Sequence, residues 1–96
     1  MDMTIIKKLH IVIKGKYFIQ IQDGTKKEEY RVVKPYWVNK LVNKNYTHIV
    51  FQAGYSPVSP KIEVEYLGYE IRNITHEFFG DEEITVFVIK LGNIIS

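Results

Sequence analysis

Four stretches of this chain carry a two-residue apolar period and a fifth is apolar on both sides, so the chain is written for short strands rather than long helices. Leu9-His10-Ile11-Val12-Ile13-Lys14 puts Leu9, Ile11 and Ile13 on one side. Glu28 to Val33 reads as a second strand, and His48 to Ala53 alternates again. Lys61 to Arg72 alternates with a change of phase: Ile62, Val64 and Tyr66 share one side, then Tyr69 and Ile71 carry the apolar face. A slip of one residue exchanges the two faces of a strand, so Leu67-Gly68 is predicted to be a β-bulge. Ile84 to Leu91 is apolar on both faces and is predicted to lie centrally in the sheet.

Two helical patterns interrupt the strands. Tyr17, Phe18 and Ile21 have helical spacing and are followed by Gly24, a residue able to end a helix at positive φ. Pro35 opens a second helix running to Asn43, with Trp37, Val38, Leu41 and Val42 as its apolar stripe. Ala53 to Pro60, with Gly54, Ser56, Pro57, Ser59 and Pro60, is the long loop, and Asp81-Glu82-Glu83 is a solvated one. The order is strand, helix, strand, helix, then three strands. An α+β domain spanning residues 1–96 is expected, a small and partly open β-barrel of about five strands capped by the two short helices.

Composition narrows the function classes. The absence of Cys excludes disulfides, thiolate metal sites and Cys nucleophiles. The longest apolar run, Val86-Phe87-Val88-Ile89, is four residues, which leaves no room for a membrane-spanning helix or a signal sequence. A cytoplasmic location and no membrane partner are therefore expected. A net charge of +2 is too small for a general nucleic-acid coater, so any such binding must come from a local cluster.

One segment supplies that cluster. Gly24-Thr25-Lys26-Lys27-Glu28-Glu29-Tyr30-Arg31 puts a basic pair on a turn directly before a strand. Side chains two apart on a strand share a face, so Glu29 and Arg31 point one way while Tyr30 and Val32 point the other. If Tyr30 and Val32 face the core, the Glu29–Arg31 pair faces solvent or a cleft. Arg31 can grip a phosphate or base edge with its planar fork of donors, Glu29 can accept from a base amine or orient Arg31, and Lys26 suits a phosphate. The same residues also read as an ion pair on an edge strand, guarded by lysines against strand pairing.

The stretch His10 to Arg31 resembles the opening of an ASCH domain: a strand, a short helix containing Tyr17-Phe18, then Gly24-x-Lys26-x-x-Glu29-x-Arg31. Ile49-Val50-Phe51 to Gly54-Tyr55, Ile62-x-Val64 and Phe87-Val88-Ile89-x-Leu91-Gly92 are similar to the later strands of that family. The resemblance implies a PUA-like β-barrel with a cleft beside the motif, a role in binding RNA or a modified nucleotide, and Lys26, Glu29 and Arg31 in the cleft. One branch of the family hydrolyses the amide of acetylcytidine with a Thr nucleophile three residues after the motif lysine. Glu29 stands there in this chain, and a carboxylate does not replace an alkoxide. Lys26 is the candidate catalytic residue of a nucleoside or RNA hydrolase, but the reading leans away from an enzyme.

Two further clusters qualify as binding residues. Tyr36, next to Trp37 and preceded by Lys34, can stack a base while Trp37 packs inward. Tyr55 and Ser56 follow Gly54 in the long loop and can touch a ligand. The three His, His10, His48 and His76, have no metal-ligand spacing, and neither a metal nor a cofactor is expected. A module that binds another protein without nucleic acid is the remaining alternative.

Overall fold

The computed structural model describes residues 5–75 and 80–96. Its elements are β1 (Lys8–Ile13), α1 (Gly15–Gln22), β2 (Glu28–Val32), α2 (Pro35–Leu41), β3 (His48–Ala53), β4 (Lys61–Thr75) and β5 (Glu83–Ile94). They form an α+β fold with one five-stranded mixed sheet in the order β1-β3-β4-β5-β2. β1 and β3 are parallel, and the other neighbours are antiparallel. Among the described residues no helix is long and apolar enough to cross a membrane.

The predicted phase change is real. The β4–β5 register shifts between Val64 and Tyr66 and again between Tyr66 and Tyr69, and Gly68 sits at φ +94°. A residue with a Cβ is strained at that angle, so the bulge is placed by the glycine. Val86, Phe87, Val88 and Ile89 are all buried, as a strand flanked by β4 and β2 requires. Ile71 departs from expectation and is exposed, although it pairs with buried Phe87. Val38 is exposed too: α2, at seven residues, buries Trp37 and Leu41, while Val42 just beyond its end packs partly against the core.

The core gathers Leu9, Ile11 and Ile13 of β1, Ile49 and Phe51 of β3, Phe87, Ile89 and Leu91 of β5, and Phe18, Ile21, Trp37 and Leu41 from the helices. Burial of these side chains, at about 25 cal/mol per Å² of apolar surface, is what holds two helices too short to persist alone.

The sheet is not closed into a barrel: among the described residues β1 and β2 are its two edges, and no ladder joins them. The hydrogen bonds show what each edge presents. The Ile13 carbonyl accepts from Gly54 N–H, so odd residues of β1 bond β3 and the even ones, His10 and Val12, turn their backbone to the open side. On β2 the Val33 N–H donates to Thr85 and the Lys27 carbonyl accepts from Leu91, which likewise leaves the backbone of Glu28, Tyr30 and Val32 on the open edge. A side chain crosses the seam instead of a ladder: Arg31 Nη2 donates to the Val12 carbonyl at 3.3 Å.

Candidate functional site

Glu29 is the anchor of the site. It is 6% exposed and is the one charged residue buried among the described residues. A carboxylate does not leave water without partners, and here it has two. Arg31 Nη2 donates to Oε2 at 2.8 Å, and Lys26 Nζ lies 3.3 Å from Oε1. The register explains the burial: Glu29 pairs with Ile89 and Arg31 with Phe87, so both side chains share the face of the core. The condition that Tyr30 and Val32 face the core is therefore overturned. They project from the opposite face, over Val88 and Val86, and are the more exposed pair of the strand. The core face of this edge strand ends at the β1–β2 seam, where an ion pair meets both the core and the cleft.

Arg31 is held on three sides. Besides Glu29 and the Val12 carbonyl, its guanidinium carbon lies 5.0 Å from the centre of the Trp37 ring. Its Nε is buried with no hydrogen-bond partner among the described residues. An Arg gripped in this way offers a donor fork fixed in orientation, which a Lys cannot imitate.

The turn after α1 delivers Lys26. Gly24 takes φ +84°, and Asp23 Oδ1 accepts from Thr25 N–H at 3.0 Å and from Thr25 Oγ1 at 2.7 Å. Those bonds hold the Asp23 carboxyl below the usual carboxylate range. Lys26 N–H then donates to the Gln20 carbonyl, and its ammonium comes to rest 5.2 Å from the Tyr17 ring centre and 5.7 Å from that of Tyr30.

Two hollows lie along the seam. One, of about 450 Å³, has Glu29, Arg31, Lys14, Tyr17 and Tyr55 in its lining. The next, of about 500 Å³, has Arg31, Trp37, Tyr36, Lys34 and His10. Val12, Arg31 and Tyr55 line both. Tyr36 is 57% exposed and meets the buried Trp37 edge-on at 5.2 Å, so Trp37 packs inward as expected while the Tyr36 ring stands at the surface. Tyr55 is 89% exposed.

Two residues do not sit where the sequence puts them. Lys26 touches Glu29 but opens onto a different hollow, with Lys27, Glu28 and Lys90, and Tyr30 lines both that hollow and the first. Ser56 lines none of these three hollows. Its carbonyl accepts from Gln52 Nε2 at 3.1 Å and its Oγ from Val58 N–H at 3.3 Å, so it builds the loop that carries Tyr55. Lys14 and Tyr17 line the first hollow without having stood out in the sequence. Their only signal is position, at the β1–α1 junction across the seam from the motif. His48 Nδ1 is 2.6 Å from Thr47 Oγ1, His10 lines the second hollow, and His76 lies outside the described residues. Among the described residues no group of three His, Cys, Asp or Glu is placed to hold a metal ion.

The arrangement sets two cations against one buried carboxylate, with Lys14 and Lys34 added at the seam. It therefore offers an acceptor and a fixed donor fork side by side, with excess positive charge and exposed tyrosine faces. Compared with protein-family models, curated proteins and solved structures, the chain has no match.

Proposed function

We propose that the protein binds RNA or a nucleotide in the cleft along the β1–β2 seam. The observation that carries this reading is the buried Glu29 carboxylate clamped beside the Arg31 fork on the floor of a hollow edged by Tyr55 and Lys14. A base needs an acceptor next to donors and a flat partner for its face, and a phosphate needs a cation. A purely structural ion pair needs neither the hollow nor the exposed tyrosine. In this reading the curled sheet is a PUA-like barrel left open at the seam, consistent with the ASCH-like pattern of Gly24, Lys26, Glu29 and Arg31. Cytoplasmic RNA or a modified nucleotide is the partner it implies.

Binding is favoured over hydrolysis by the engagement of the candidate catalytic groups. The Lys26 ammonium is paired with Glu29 and lines a hollow other than the one holding Glu29 and Arg31. The Thr25 hydroxyl is tied into its own turn.

Fluorescence anisotropy with a labelled single-stranded RNA at low salt tests the reading. Binding should weaken steeply as salt rises, and Tyr55→Ala should weaken it about tenfold, the loss of one stacking contact. Arg31→Lys, which keeps a charge beside Glu29 but loses the fork, should weaken it as well. Absence of binding to RNA and to nucleotides, or an equal loss from Arg72→Ala on the opposite face, would contradict the proposal.

A further inference from the structure

The two hollows of the seam are not equivalent. The first holds the buried carboxylate and is suited to reading a base edge. The second lacks that carboxylate and is instead walled by the Tyr36 and Trp37 rings, with Lys34 and His10 beside them. Each has a volume within the range of about 300–1,000 Å³ typical of small-ligand sites. Arg31 and Tyr55 belong to both, so the hollows form one groove with a shared wall.

We propose that the groove takes two consecutive nucleotides of a single strand, one read by Glu29 and Arg31 and the next stacked against Tyr36. The inference rests on the binding reading above and adds the length and division of the ligand. Exposed aromatic rings are a platform on which a base stacks whatever its identity, whereas a fixed acceptor beside a donor fork discriminates between bases. The first position is therefore selective and the second tolerant. Lys14 lies at the selective hollow and Lys34 at the tolerant one, so each has a cation for a phosphate of the strand.

The test is calorimetric titration of the full chain with the four ribonucleoside monophosphates and with 5′-phosphorylated ribodinucleotides, repeated with Tyr36→Ala. Tyr36 is exposed, so its removal spares the core, and a thermal melt checks this. The best dinucleotide should bind about tenfold more tightly than the best mononucleotide. Tyr36→Ala should abolish that gain, so that in the variant the best dinucleotide binds no more tightly than the best mononucleotide. Mononucleotide binding with no gain from a second nucleotide, or a gain that survives Tyr36→Ala, would overturn the two-position groove and leave the single-site reading standing. Failure of every nucleotide to bind would bring down both.

Discussion

Glu28 and Glu29 are neighbours in sequence and opposites in circumstance. Glu29 points to the core face, its side chain 8% exposed, between Lys26 and Arg31. Glu28 points to the outer face, its side chain 27% exposed, where Lys90 Nζ lies 2.5 Å from Oε2 and the Tyr30 hydroxyl donates to Oε1 at 2.7 Å. Glu70 and Arg72 complete the outer group, paired with one another and with Lys90 and Glu28. Both carboxylates have cationic partners, so the number of ion pairs does not separate them. Solvent does. Water supports the outer network and screens it, while the inner one must supply its own compensation. A buried charge set costs more to break than to replace by well-packed apolar groups, so its presence is weak evidence for stability. That is why the inner cluster is read as a site and the outer one as surface.

The comparison breaks most sharply at the carboxylates themselves. Glu29→Ala leaves Lys26 and Arg31 without their counter-charge at the end of the core, and should cost about 3–5 kcal/mol of unfolding free energy in a urea titration. Glu28→Ala should cost about 1 kcal/mol or less, since its cationic partners Lys90 and Arg72 are partly exposed and retain Glu70. Equal losses would mean that burial does not distinguish the two clusters.

A double-mutant cycle on Glu28 and Lys90 should give a coupling of about 0.2–1 kcal/mol at low salt. It should fade in 1 M salt, where the screening length is about 3 Å. Acid gives the smallest effect. Lys90, followed by the Tyr30 hydroxyl, holds the Glu28 carboxyl down at about 2 against an ordinary 4.5. A depressed carboxyl stabilises the fold in full above its unfolded value. The contribution of Glu28 should therefore be intact above about pH 4.5 and drain away as pH falls toward 2. Stability curves of the parent and of Glu28→Gln should converge across that window, and parallel curves would argue against the assignment.

The sequence was legible where its signals are local. The strand at His48–Ala53 has the bounds the alternation predicts, and the phase change at Leu67-Gly68 marks the register shifts. Pro35 opens α2, and Gly24 ends the turn after α1 at positive φ. The pairing of Glu29 with Arg31 also followed from their spacing. What escaped was set by distant partners. Alternation says which residues share a face, not which face finds cover. From the sequence either Tyr30 and Val32 or Glu29 and Arg31 could face the core, and β5 decides it by turning Ile89 and Phe87 toward the core opposite Glu29 and Arg31. Closure into a barrel depends on whether β1 and β2 meet, and they are the first and last strands of a sheet ordered by long-range pairing. Lys14 and Tyr17 join the cleft only because that seam stays open beside them.

Two-dimensional amide NMR during titration with single-stranded RNA addresses the binding cleft most directly. The predicted shifts fall on Lys14, Glu29, Arg31, Gly54 and Tyr55, with Glu70, Arg72 and Lys90 on the outer face unmoved. Shifts centred on the outer face, or a spectrum unchanged at saturating RNA, would contradict the account.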